Sequence, residues 1–504
     1  MMSTSCRPAY SSSSKRTGEP GELAVKWRAT ELAVGYLEVS PMRVSVALRA
    51  RSKLAALLNC LMQVVCQSGS TGNIDRRNLR TWRQLVLGVL AKRSTRLLAL
   101  GQVIASQRRV SSVKSAAMAL GYFLNKAKFP MRPFATRLLE TAVRQLPPER
   151  LVTYRGKVLL VIDPTEYEKR SRGRGKRGRQ MQHIGRVRRS KAKRARKRKD
   201  KAGKGKAPQT AQKVATAFGY VDIWAGLVLK GKQFLPLARQ LFSSNHPKIK
   251  SQNRVEQAVL AQGLGVLRRV GLTAIAVADR GLGRKELIIG LARKGQDLVF
   301  RIDADIKVTP DGMSSDVLLA DALAGQSWLG EVVWDRGEEG KLHCRARVVR
   351  AKIRFSRSGR KDDYQEATLN FLELVPIEEH VESLVVATTL PVDSLADAKG
   401  IAWVYAQRWA VESGFETMHA WGQDSFMVRT WKAIDRLLWI VALAYALMVL
   451  VLQDAKMASF RKQAVAVLKC LSVVGRRLTV GKIAEAIGLD FNKHHRAWAS
   501  VWFR

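Results

Sequence analysis

Val158-Leu159-Leu160-Val161-Ile162-Asp163 is a run of five apolar residues closed by a carboxylate. An uninterrupted apolar run of this length reads as a strand buried on both faces. A second run, Leu272-Thr273-Ala274-Ile275-Ala276-Val277-Ala278, also ends on an acid and opens Asp279-Arg280-Gly281. Both patterns predict a strand with an Asp at its end. Between them lie a long basic interruption, two strand-like stretches at 214–224 and 226–235, and a helical stretch at about 253–269. Beyond Asp279 the pattern predicts a helix over about 283–294 and a strand over 297–303.

Three strands, a helix, a strand and a helix form an α/β alternation that matches the start of an RNase H-like fold. Residues 304–392 break it. Short β-prone runs there, at 331–334, 344–355, 367–374 and 383–389, are separated by Gly, Asp and Lys clusters. They read as a β-rich segment inserted into an α/β domain. The helical pattern returns at Ser394-Leu395-Ala396-Asp397, a capping box, and runs through Glu412.

The flanks are helical. Apolar residues recur at helical spacing through 82–90 and 97–104, bordered by Arg76, Arg77, Arg80, Arg83, Lys92, Arg93, Arg96, Arg108 and Arg109. A small helical DNA-binding module suits this pattern, and an amphipathic bundle with an ordinary basic surface is the plainer alternative. The expected division is 1–41, disordered or low-complexity; 42–150, helical DNA-binding; 151–303, first part of an RNase H-like core; 304–392, β-strand insertion; 393–450, second part of the core; and 451–504, helical and basic. Met42 and Met62 are alternative starts.

Lys and Arg number 88 against 41 Asp and Glu, a net charge of +47. Such an excess favours a polyanionic partner, because neutralised phosphates release counterions. Apolar content of 46% argues for a globular chain. The five cysteines are scattered and form no CxxC pair, which fits a reducing compartment and argues against a zinc site. The N-terminus lacks the apolar region of a signal peptide, so the expected location is cytoplasmic and nucleoid-associated. Residues 437–452 carry no charge, but sixteen residues fall short of the roughly 20 needed to cross a bilayer. They read as a buried helix, with no membrane involved.

Residues 169–206 hold 20 Lys or Arg and one acid, Asp200. Without apolar periodicity the segment reads as a mobile arm gripping nucleic-acid backbone, adding affinity and not sequence choice. Arg186, Arg188, Arg189, Lys191 and Arg194 are its candidate DNA contacts. A solvated loop is the bland alternative.

Asp163, Asp279 and Glu412 are what two-metal phosphoryl transfer requires. Two Mg²⁺ ions about 3.5–4 Å apart activate a nucleophile and stabilise the leaving oxygen. Mg²⁺ prefers oxygen ligands and keeps waters, so a few carboxylates suffice, with Mn²⁺ as a substitute. Alone, each acid is more often a turn former, an N-cap or a solvated side chain. Tyr405, Arg408, Glu412 and His419 are spaced 3, 4 and 7 apart and fall on one helical face. The plain alternative is an Arg408–Glu412 surface ion pair, and Glu416, one turn on, competes with Glu412.

At these residues the chain resembles the DDE transposases of bacterial insertion sequences, most closely the insertion-sequence-four group with its Tyr-x2-Arg-x3-Glu-x6-Lys signature. Tyr405, Arg408 and Glu412 match three positions, and His419 stands in the Lys place. Asp163-Pro164-Thr165 matches the first family acid, and Asp279-Arg280-Gly281-Leu282-Gly283-Arg284 the second. The resemblance covers roughly 151–450. It implies catalysis and metal binding by Asp163, Asp279 and Glu412, with Tyr405, Arg408, His419, Arg280 and Arg284 on DNA. It further implies binding of the element's terminal repeats and of target DNA, a homodimer in a synaptic complex, end hydrolysis, and attack by the freed 3′-OH. Aromatic residues of the insertion hold a flipped base in such proteins; Trp328 and Trp334 lie in that segment, though buried sheet aromatics are the plainer reading. The competing readings are a catalytically inactive or domesticated DNA-binding derivative, another RNase H-like nuclease, and a basic ribonucleoprotein component.

Overall fold

The structure, a computed structural model, describes residues 74–107, 112–169, 181–188, 216–249, 251–337, 340–356, 363–378, 380–453, five positions between 457 and 464, and 479–502. Four helices come first: α1 (Arg76–Lys92), α2 (Leu97–Gln107), α3 (Val113–Asn125) and α4 (Met131–Arg144). Asp75 and Ser112 start α1 and α3 by accepting hydrogen bonds from the Arg77 and Ser115 amides, which would otherwise be unpaired. The apolar positions read from the sequence, Trp82, Leu85, Val86, Val89 and Leu90, form the buried face of α1.

A two-residue turn, Arg155-Gly156, then joins β1 (Thr153–Tyr154) to β2 (Lys157–Lys169). Both turn residues take positive φ, 49° and 74°, as tight hairpins require. Next come β3 (Gly185–Arg188), β4 (Thr216–Leu229) and β5 (Gln233–Phe242). β4 runs antiparallel to β2 on one side and to β5 and β3 on the other. Helix α5 (Gln252–Arg269) crosses to β6 (Ala274–Ala278), parallel to β2; α6 (Lys285–Ala292) crosses to β7 (Leu298–Arg301), parallel to β6. The central order is therefore β5-β4-β2-β6-β7.

The chain continues through β8 (Lys307–Pro310), β9 (Val317–Leu318), α7 (Leu319–Ala324), β10 (Gly330–Asp335), β11 (Lys341–Phe355), β12 (Gln365–Pro376) and β13 (Leu384–Thr388). These strands pair antiparallel, and β13 pairs antiparallel with β7, so the segment extends the central sheet. Last come α8 (Leu395–Ala406), α9 (Trp409–Ala420), α10 (Trp431–Gln453) and α11 (Val480–Trp502).

Helix α10 is buried along nearly its whole length, as its uncharged stretch implied. It packs against β5 on one side and against α1, α3 and α4 on another. Arg436 secures that docking by donating to the carbonyls of Phe123, Leu124, Ala127 and Phe129 at 2.7–3.3 Å, closing the C-terminal end of α3. A fully buried ion pair lies nearby. Arg239 on β5 holds Asp222 on β4 at 2.8 Å and Asp435 on α10 at 3.1 Å, and Tyr167 on β2 donates to Asp222 at 3.0 Å.

Four sequence expectations are corrected. Asp163 is not at a strand end: β2 continues to Lys169, held by β4 alone after β6 stops. Gly226 does not separate two strands: β4 runs to Leu229, with a bulge at Ala225/Gly226, and turns at 230–232. The helix leading to Glu412 is two helices, because the backbone tightens to i→i+3 hydrogen bonds at 405–411. The basic arm is interrupted: residues 181–188 fold back, pairing β3 with β4 and burying Val187, with Met181 and Ile184 packed on the core. Its candidate contacts Arg189, Lys191 and Arg194 lie outside the described residues.

Asp222→Ala should destabilise the protein by about 3–5 kcal/mol, because it strands much of a buried guanidinium's compensating charge. Urea unfolding monitored by tryptophan fluorescence will measure this; a loss below about 1 kcal/mol would mean Asp435 alone satisfies Arg239.

Candidate active site

The parallel register of β2 and β6 builds the site. Ile162 is level with Ala278, the last residue of β6. The next residue on each chain is an acid, so Asp163 and Asp279 emerge side by side where the two strands part. Neighbouring strands lie about 4.8 Å apart, which forces the carboxylates into one another's field. After Asp279 the backbone makes a 3₁₀ turn, Arg280–Leu282, packed tightly on β7. Gly283 is required there, since a Cβ would lie 2.2 Å from the Arg301 carbonyl oxygen.

The break between α8 and α9 brings in the third acid. Helix α8 lies over β6, β7 and β10, whereas α9 lies over β2, β4 and β5. Arg408, at the junction, is buried, and its Nη1 donates to Asp163 Oδ2 at 3.4 Å and Glu412 Oε1 at 2.7 Å. Tyr405 donates its hydroxyl to Asp279 Oδ1 at 2.9 Å. His419 Nε2 and Thr165 Oγ1 share a hydrogen bond of 3.3 Å, placing the histidine beside β2. Tyr405 and Arg408 thus reach the two aspartates directly and Glu412 joins them through Arg408, whereas His419 meets β2 two residues further on, at Thr165. Glu416 is exposed and is not part of this cluster of hydrogen bonds.

The electrostatics separate the acids. Burial pushes the Asp163 carboxyl up to about 7, and repulsion from Asp279 and Glu412 adds to this against the pull of Arg408. Burial also raises Glu412, again opposed by Arg408. For Asp279 burial acts in the same direction but is outweighed. Arg408, the Arg280 amide, the Tyr405 hydroxyl and Arg301 hold it below the usual carboxylate range. Burial lowers His419, so near neutral pH it is an uncharged imidazole.

The remaining candidates are placed differently. Arg280 leaves the site to pair with Glu382 at 2.6 Å and Asp303 at 3.2 Å. Arg284 turns toward α5 and pairs with Glu256. Arg186 is exposed on β3; Arg188 is on the same strand, and its side chain lies outside the described residues. Trp334 is buried in the sheet, while Trp328 is 45% exposed with the Arg347 guanidinium 4.8 Å above its ring. Sequence reading missed Arg301, 3.9 Å from Asp279 and 3.3 Å from Glu382. Its only signal was its place at the end of β7, one strand beyond Asp279.

Among the described residues, no three His, Cys, Asp or Glu side chains stand grouped as a ready-made metal site. The Arg408 guanidinium bridges Asp163 and Glu412 where a shared cation would have to reach. The donor chemistry nonetheless fits a hard divalent ion: the acidic groups that converge are carboxylates, and their mutual repulsion is charge a cation would neutralise.

Carboxylates carried to one point by two parallel strands and a helix, in a strongly basic chain, make this an acid-cluster site suited to phosphate chemistry. Residues 246–447 match the family model described as a transposase DDE domain. The matched span contains Asp279 and Glu412 and begins after Asp163. It supports a DDE transposase, a class that carries out metal-dependent DNA phosphoryl transfer. No curated protein matches the chain.

Folded Asp163 keeps its proton up to about pH 7, whereas in the unfolded chain it releases it near pH 4. Folding therefore takes up a proton between those values, and the associated stability is lost as pH rises through about 7. With a chelator present, wild type should lose more stability than Asp163→Asn between about pH 4 and pH 7. Parallel urea-midpoint curves for the two proteins would contradict the raised carboxyl.

Proposed function

We propose that the protein is the transposase of an insertion sequence, cutting at the element's terminal repeats and joining the freed 3′-OH to target DNA. The observation that carries this reading is the Ile162/Ala278 register, which sets Asp163 beside Asp279 in reach of the Arg408–Glu412 pair. The strand order β5-β4-β2-β6-β7, three antiparallel strands followed by two parallel ones, supports an RNase H-like core for 151–303 and 393–450. The 304–392 strands serve as its insertion, and the helices of 42–150 as a DNA-binding region.

Asp163, Asp279 and Glu412 would hold Mg²⁺ or Mn²⁺. Such ions, when bound, lower the pKa of an attacking water and neutralise charge on the leaving oxygen. The chain's own groups do the rest. Tyr405 fixes the orientation of Asp279 by its hydrogen bond and, being buried, keeps its proton. Arg408 supplies fixed positive charge beside the scissile phosphate. Neutral His419 offers a hydrogen bond, not a charge, where the insertion-sequence-four pattern has Lys, and so contributes direction more than attraction. Basic residues of 169–206 bind backbone without reading sequence. A homodimer would pair the two element ends, with the protein located on the nucleoid.

Excision of a marker flanked by the element's own ends should occur with wild type and vanish with Glu412→Gln or Asp163→Asn, while both variants still bind the ends. Excision by Glu412→Gln would move the third acid to Glu416; lost binding would make the acids structural. Deleting 189–206, which holds 11 Lys or Arg, should weaken DNA binding and flatten its salt dependence. An unchanged slope would exclude this segment from the interface.

A further inference from the structure

Arg408 makes more contacts than a helical ion pair needs. An exposed i,i+4 pair spans two residues of one helix and contributes a few tenths of a kcal/mol. Arg408 instead reaches from the α8–α9 junction to β2, with its side chain only 8% exposed. A single nitrogen, Nη1, donates to Asp163 and Glu412 together. The guanidinium lies 4.9 Å from the Trp409 ring and 6.0 Å from that of Tyr405, which fixes its plane. Its Nε is buried with no hydrogen-bond partner among the described residues, a donor still open to an incoming group.

A guanidinium so placed competes with a metal. It neutralises the oxygens of Asp163 and Glu412 that a shared divalent ion would have to approach, and a cation brought close to it is repelled. Titration cannot remove it, because arginine stays protonated in proteins. Charge counting points the same way. Even with all three acids ionised, Arg408 and Arg301 leave the cluster one negative charge, less than a divalent cation carries, so the balance closes only when an anion accompanies the metal. A phosphodiester is such an anion, and its paired oxygens fit the guanidinium fork.

We propose that Arg408 is the resident counter-ion of the acid cluster, and that a DNA phosphate draws it away before Asp163 and Glu412 share a divalent cation. The proposal rests on the reading of the three acids as metal ligands. It makes Arg408 the group through which the presence of DNA governs metal loading.

Mn²⁺ binding by the full chain, read as loss of the free-ion electron paramagnetic resonance signal, tests this without any activity. Without DNA, Arg408→Gln should bind Mn²⁺ about tenfold or more tightly than wild type, because it frees the carboxylates of a competing charge. Arg408→Lys, which keeps the charge, should stay near wild type. A duplex oligonucleotide should tighten Mn²⁺ binding by wild type and leave Arg408→Gln unchanged. Circular dichroism and thermal unfolding establish that each variant is folded. Equal or weaker Mn²⁺ binding by folded Arg408→Gln overturns the proposal but spares the metal-site reading. Absence of Mn²⁺ binding by every protein, with and without the oligonucleotide, overturns both. If Arg408→Gln does not fold, wild type decides: Mn²⁺ affinity indifferent to the oligonucleotide rejects the coupling.

Discussion

Two carboxylates must stand side by side where strands β2 and β6 part, and much of the molecule serves that requirement. The parallel register places them there, and parallel strands need a long crossover, which α5 provides. Repulsion between adjacent acids has to be offset by cations and hydrogen-bond donors carried from elsewhere. Arg408 comes from the α8–α9 junction, Arg301 from β7 and the Tyr405 hydroxyl from α8. None of these groups is near the aspartates in the chain. The site therefore exists only when the sheet, its extension through β13, and the helices above it are all in place.

The offset is unequal, and this divides the acids by character. Asp279 receives the Tyr405 and Arg280 hydrogen bonds and stays ionised. Asp163 is more deeply buried, with Arg408 its one close cation among the described residues, and its carboxyl rises to about 7. Two aspartates in matching sequence frames thus behave differently because their surroundings differ. The frame alone did not contain that difference.

Much of the core was legible because its signals are local. Apolar runs ending in acids marked β2 and β6, and Ser394 with Asp397 marked the start of α8, where each now accepts a hydrogen bond from the other's amide or hydroxyl side. Tyr405, Arg408 and Glu412 still meet at the aspartates across the helix break, while His419 lands beside Thr165. What was missed depends on distant partners. The extension of β2 past Asp163 is decided by pairing with β4, and Pro164 is tolerated there because β6 has already ended. Residues 181–188 look like part of a charge run, and only Met181, Ile184 and Val187, too few to show a period, hint that the segment folds back. Arg301 meets Asp279 and Arg239 meets Asp222 only through strand pairing, and Asp435 joins Arg239 from 196 residues away, so no local spacing rule applies.

The burial of α10 bears on the order of synthesis. Helices α1, α3 and α4 are complete by Arg144, yet the helix that covers their apolar faces begins at Trp431. During translation those faces emerge long before their cover, and Arg436 closes the end of α3 only when α10 has left the ribosome. The nascent chain must keep those faces from aggregating throughout the synthesis of the sheet. Because β5 also packs on α10, a ribosome that stops short of it leaves both the helices and the sheet with an uncovered apolar surface. Truncated products should therefore lack a stable site and serve as substrates for chaperones and proteases.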